Sequence, residues 1–210
     1  MNDFRCNLAA RGGHLDRLRY LHENGAPWDK QVCIEAARNG HLECLKYARA
    51  NDCKWNRGVY AAAVKGNHLE VLQWAFDNGC PVPEWHENNK ACEFAAKNGN
   101  IEALEWLRAH GFGLDSTACE KAAANGHLET LQWLRENGCP WNAGTCYEAA
   151  KNDHLEILKW AVANGCPIDR SVVVVGRHYN HDEVYEWARE NLFSKLPVKS
   201  LCWGMNNCFS

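Results

Sequence analysis

Apolar and polar positions along this chain follow a helical rhythm that restarts at a nearly fixed interval. Between Asn125 and Trp141 the apolar residues Leu128, Leu131, Trp133 and Leu134 trace one stripe of an α-helix, with polar residues on the opposite side. Take His127 of this stretch as position 0. The equivalent positions elsewhere are His14, His41, His68, Asn100, His154 and His181, at spacings of 27, 27, 32, 27, 27 and 27 residues. Position +2 is always acidic (Asp16, Glu43, Glu70, Glu102, Glu129, Glu156, Glu183) and position +6 always aromatic (Tyr20, Tyr47, Trp74, Trp106, Trp133, Trp160, Trp187). Gly or Asn at −1 marks the start of this helix. The acid at +2 is expected at the third helical position, where it bonds back to a free N–H and meets the positive end of the dipole. Gly at +11, as in Gly25, Gly79 and Gly138, ends the helix in a left-handed conformation, and Pro at +13 prevents continuation.

A second, shorter helix precedes each of these. It reads Cys-x-x-Ala-Ala at Cys33, Cys92, Cys119 and Cys146, and its small residues let neighbouring helices approach closely. Each unit is therefore helix, tight turn, helix, loop. A unit of 27 residues cannot bury its own apolar stripe, so neighbours must stack into one continuous core, which makes the fold a solenoid.

Gly126-His127-Leu128-Glu129, followed by Leu131 and the Gly138-Cys139 turn, resembles the second helix of an ankyrin repeat. Thr117-Ala118-Cys119-Glu120-Lys121-Ala122 lies where that family carries T-P-L-H-x-A; Thr, Ala and the register match, whereas Pro, Leu and His do not. The resemblance implies an all-α solenoid of about seven ankyrin-like helix-turn-helix repeats over residues 1–194, with a tail at 195–210. The period is about six residues shorter than the family's, so the projecting hairpins are expected as short loops. Only the long interval through Val82-Pro83-Glu84-Trp85-His86-Glu87-Asn88-Asn89 nearly restores one. The wording of the repeats is similar to that of ankyrin-repeat proteins of large DNA viruses of amoebae and of protists.

Repeat seven departs most. Val172 to Val175 replace the small-residue helix, and Val is a poor helix former. The tail carries Leu196, Val198, Leu201, Trp203 and Phe209; it is expected to fold over the last repeat as a lid or to serve as a docking peptide.

Composition narrows function mostly by exclusion. A net charge of −3 over 210 residues draws the chain neither to nucleic acid nor to an anionic membrane, and no apolar run reaches the ~18 residues of a membrane helix. There is no secretory signal, so a cytoplasmic or nuclear setting is expected. The twelve cysteines sit mostly in two columns, −8 and +12. Same-column thiols in adjacent units lie about 9–10 Å apart, the helix packing distance, too far for a disulfide or a shared zinc. What remains is a cross-column pair such as Cys139 with Cys146. The histidine column is spaced too widely for a metal array, so the rings are expected to donate to loop carbonyls. The +6 aromatics and Trp28, Trp55 and Trp141 at +14 are read as packing. No P-loop, GxGxxG, HExxH or GxSxG pattern is present; no catalytic residue, cofactor or metal is expected.

Function is then sought in residues not needed for stacking. Positions −7 and −6 vary most, and in ankyrins that helix and the loop tips form the concave binding face. The resemblance carries that role to Ile34, Glu35, Phe94, Glu120, Lys121, Tyr147 and Glu148, with Trp85 and His86 on the long loop. Position −3 is a row of bases, Arg11, Arg38, Lys65, Lys97 and Lys151, interrupted by Ala124. It either complements the helix dipole or meets an acidic partner. The expected function is a monomeric, non-enzymatic module binding a partner protein, with no small-molecule substrate. The alternatives are a Cys/His metal or redox protein, a ubiquitin-ligase substrate adaptor, and a structural piece of a longer array.

Overall fold

The computed structural model describes residues 4–82 and 90–193, and the helices within them form seven consecutive pairs. They are α1 (Arg5–Arg11) with α2 (Leu15–Glu23), α3 (Lys30–Arg38) with α4 (Leu42–Ala50), and α5 (Gly58–Lys65) with α6 (Leu69–Asp77). Next come α7 (Lys90–Lys97) with α8 (Ile101–Ala109), and α9 (Ser116–Ala124) with α10 (Leu128–Glu136). The last are α11 (Ala143–Lys151) with α12 (Leu155–Ala163), and α13 (Ser171–His178) with α14 (Asp182–Phe193). No strand occurs among the described residues. The fold is an all-α solenoid. The long loop with Trp85 and His86, and the tail, lie outside the described residues.

Each helix starts and stops for a local reason. The first helices are capped by an Asx column at position −12: Asp29, Asp115 and Asn142 accept from the backbone N–H two residues on, at 2.9, 3.0 and 2.7 Å, and so satisfy an otherwise orphaned donor. Asn56 and Asp169 do the same at 2.9 and 2.8 Å. Near their ends the second helices carry an Asn at +10 in every repeat but the fourth, where His110 stands. The Asn side-chain amide donates to the carbonyl of the +6 aromatic, as Asn24 does to Tyr20 at 2.8 Å and Asn51 to Tyr47 at 2.9 Å. The turn at −1 requires a positive φ. Gly supplies it in four repeats, and Asn67, Asp153 and Asn180 adopt it at 61°, 61° and 58°; short Asx side chains tolerate that region.

The second helices begin at +1, so the acid falls at the second helical position, not the third. Glu43 and Glu156 pair outward instead, with Lys46 at 2.7 Å and Lys159 at 2.9 Å. What they give the helix is charge beside its dipole rather than a capping bond.

Burial follows two columns per helix. In the first helices Cys33, Ala36 and Ala37 and their equivalents in the first six repeats are buried; in the second, the +4 leucines Leu18, Leu45, Leu72, Leu104, Leu131 and Leu158 are fully so. Position +3 (Cys44, Val71, Ala103, Thr130, Ile157, Val184) is buried as well, whereas +1 and most +6 residues are half-buried. Tyr20 is 66 % exposed. The core is therefore one continuous band, widest at the leucines. Successive first helices pack on each other far more closely than successive second helices do, because their contact faces are Ala and Cys. A row that is tighter on one side curves toward that side, so the first helices line the inner face.

α13 is a helix in spite of its four valines. Val172 and Val175 are buried, and Gly176 lies against the backbone of Tyr185 on α14. Packing between α11 and α14 outweighs a propensity cost of a few tenths of a kcal/mol per valine.

Candidate interaction face

The inner face is built from the exposed side of α1, α3, α5, α7, α9, α11 and α13. Positions −7 and −6, adjacent in sequence, diverge in direction. Position −7 leans toward the next repeat: the Ile34 methyl sits 3.3 Å from where a Cβ on Gly58 would stand, and the Glu120 carboxylate 2.9 Å from the same point on Gly144. Ile34 thus fills the gap between α3 and α5 and is half-buried. Tyr147 is half-buried, with the Lys151 ammonium 5.9 Å from its ring centre. Position −6 faces the groove. Glu35 pairs with Arg38 at 2.6 Å and Glu148 with Lys151 at 3.8 Å, each one helical turn apart. Phe94 carries the Lys65 ammonium 5.4 Å from its ring centre.

Three of the expected residues converge. Phe94, Lys121 and Glu148 line an open hollow of roughly 390 Å³, together with Glu93, Lys97, Ala124, Asn125, Lys151 and Asn152. It spans α7, α9 and α11 and lies where the row of bases is interrupted. A lysine at 124, the residue type on either side in this row, would stand in this space; Ala124 leaves it open. Lys97 and Lys121 make no ion pair within the described residues, and Lys151 is held by Glu148. The hollow is therefore an apolar patch of Phe94 and Ala124 ringed by ammonium groups, with Glu93 as the one unpaired acid. Ile34 and Glu35 lie at another part of the groove, and Glu120 and Tyr147 do not line the hollow. The gap at Ala124 was visible as a break in a column; Glu93, Asn125 and Asn152 gave no such signal, since they look like ordinary surface.

The histidines have a structural task. His41, His127 and His181 place Nε2 at 3.1, 3.0 and 3.0 Å from the carbonyls of Arg11, Lys97 and Lys151 in the preceding repeat. Each thereby bonds the open C-terminal end of the neighbouring first helix. Asn100, in the same column, bonds Asn67 instead.

The opposite face is aromatic. Trp28 meets Tyr47 edge-on at 6.1 Å, Trp55 meets Trp74 at 5.9 Å, and Trp141 meets Trp160 at 5.9 Å. In each pair +14 of one repeat touches +6 of the next. Arg49 lies over Trp55 at 4.3 Å and Arg135 over Trp141 at 4.1 Å, and both guanidiniums donate to the carbonyl at +12. This ladder ties neighbouring second helices and loops together.

Taken together, stacked helix pairs with a variable inner face define a repeat scaffold. A family model described as ankyrin repeats in many copies matches residues 7–49, 59–108 and 119–162, well over half the chain, and the chain belongs to that family. Among solved structures, it is similar to the human ASB11 ankyrin repeat domain at 17 % identity and a TM-score of 0.62, covering 81 % of this chain and 90 % of that one; the likeness at this identity is one of fold. No curated protein sequence matches. No helix of the described residues is long and apolar enough to cross a membrane.

Proposed function

We propose that this chain is a non-enzymatic protein-interaction module whose inner face binds a segment of a partner protein. The segment places an acidic side chain with an apolar neighbour in the hollow between α7, α9 and α11. Ankyrin repeats are protein-interaction modules, and the observation that supports this reading most directly is the gap in the basic row at Ala124. It leaves Phe94 accessible between Lys97, Lys121 and Lys151. A partner carboxylate there meets two ammonium groups that have no ion pair of their own. The half-buried ring of Phe94 supplies the kind of aromatic anchor that dominates interface energies. Ile34, Glu35, Glu120, Tyr147 and Glu148 extend the contact along the groove, and Trp85 and His86, outside the described residues, complete the proposed set.

A displayed library of random peptides tests this. Selected peptides are expected to be rich in Asp or Glu beside an apolar residue. Ala124→Trp, which fills the hollow, and the double change Lys97→Glu with Lys121→Glu should each weaken their binding about tenfold or more, or ~1.4 kcal/mol and above. Glu43→Lys on the outer face should leave it unchanged. Peptides that bind the Ala124→Trp protein as tightly as the unaltered chain would sink the assignment.

A further inference from the structure

Three repeats bring two buried cysteines into contact in a way that neither column alone implies. In each, the cysteine at −8 on the first helix meets the cysteine at +12, just past the end of the second helix, twenty residues later: Cys33 with Cys53, Cys119 with Cys139, and Cys146 with Cys166. The Cys119 thiol donates to Cys139 Sγ at 3.5 Å, and the other two pairs occupy the same two columns and influence each other electrostatically. The +12 thiol in turn donates to the carbonyl of the residue capping the first helix: Cys53 to Asp29 at 3.2 Å, Cys139 to Asp115 at 3.1 Å and Cys166 to Asn142 at 3.4 Å. The partner of Cys139 is thus Cys119 of its own repeat, not Cys146 of the next.

The first pair borders a hollow in the surface. Cys33 is 0 % and Cys53 1 % exposed, but Cys53 lines a surface hollow of roughly 410 Å³ formed with Trp28, Asp29, Lys30, Asp52 and Lys54. The Arg49 guanidinium bonds the Cys53 carbonyl and stands beside both sulfurs. Cys44, elsewhere in the same repeat, is buried and shares no bond with another thiol among the described residues.

We propose that Cys33 and Cys53 form a reversible oxidation site, a dithiol that small hydroperoxides convert to a disulfide within one repeat. The pair loses its first proton as a unit. The neighbouring Cys53 thiol lowers Cys33 from its ordinary value and Arg49 adds to this, against burial, while the same contact and burial hold Cys53 up. The ionised sulfur attacks one peroxide oxygen, the O–O bond breaks, and hydroxide leaves to take up the proton as water. The second thiol then attacks the sulfenic sulfur, an S–S bond forms, and a second water departs. Two thiols and one hydrogen peroxide give one disulfide and two waters, and a thiol reductant reverses the change. Thiols 3.5 Å apart in the equivalent pair need to close by only about 1.5 Å to reach bonding distance.

Peptide mapping of the unaltered full chain tests the proposal. The folded, reduced protein is exposed to a few equivalents of hydrogen peroxide, its remaining thiols are blocked, and it is digested with trypsin. The expected product joins Gln31–Arg38 to Ala50–Lys54 and is about 2 Da lighter than the two reduced peptides combined. Cys44 is recovered as a blocked free thiol. The oxidised chain should also melt at a higher temperature than the reduced one, because a closed loop restricts the unfolded state. Recovery of Cys33 and Cys53 as free thiols, or their joining to other cysteines as readily as to each other, overturns the assignment. So does oxidation of Cys44 at the same rate, which would mean that the thiols react only after unfolding.

Discussion

Two glycines of similar backbone conformation should respond differently to the same substitution. Gly40 has φ of 73° and Gly138 of 77°, so an alanine at either pays for a left-handed conformation, about 1–2 kcal/mol. At Gly138 nothing lies within 4 Å of the added methyl, whereas at Gly40 it would stand 2.5 Å from the ring of His68. That ring belongs to the next repeat, so Gly40→Ala must also displace the contact between two units. Thermal or urea unfolding should find Gly40→Ala more destabilising than Gly138→Ala by at least another ~1 kcal/mol. Equal losses would show that the histidine column has slack. The repeat made both glycines legible as turn residues. What it did not reveal is that one faces empty space and the other a histidine, because that difference depends on the distance to a neighbouring unit.

At the scale of the element, an Asx cap sets the start of five of the first helices. The Asx column at −12 follows the same period as the histidines, but in the sequence it is masked by the stronger Gly-Cys-Pro turn signal just before it. Asp115 accepts from the Thr117 N–H and hydroxyl. Asp115→Ala should cost about 1 kcal/mol, within the ~0.5–2 range for lost caps, and Asp115→Asn should cost far less. The measurement is the urea midpoint of the two variants, and equal midpoints would put the cap's contribution elsewhere. Helix positions and the leucine core were readable, since a stripe at helical spacing repeated seven times leaves few other arrangements. The aromatic column was read in part. Its rings are half-buried because the wider spacing of the second helices leaves them lying across the gaps. Trp160, edge-on to Trp141, should therefore cost nearer ~2 kcal/mol on truncation to Ala than the ~3–5 of a fully buried Trp.

For the whole molecule, stability is a chain of nearest-neighbour contacts, and the joint between the third and fourth helix pairs is where the pattern is most altered. Tyr60 stands where five of the other repeats carry Cys, and bonds the Cys80 carbonyl at 2.7 Å. Its ring meets Phe112 of the next repeat edge-on at 5.1 Å. The thiols on either side of this joint, Cys80 and Cys92, are both pushed up to about 12 by burial. An acid held protonated in the folded state stabilises the fold fully below its unfolded value, near 9. Between about pH 9 and 12 the unfolded chain has given up protons that the folded chain retains. Unfolding then releases protons, and stability falls as pH rises. By pH 10.5 the loss should approach ~2 kcal/mol for each thiol. Other buried thiols, Cys44, Cys53, Cys119 and Cys146, are raised as well, so the weakening is shared along the solenoid. Urea unfolding under reducing conditions at pH 8 and pH 10.5 measures it, and the expected result is a lower midpoint at the higher pH. Replacing Cys80 and Cys92 by Ala should make the fall between the two pH values shallower, and an unchanged slope in that variant would place its origin in other groups.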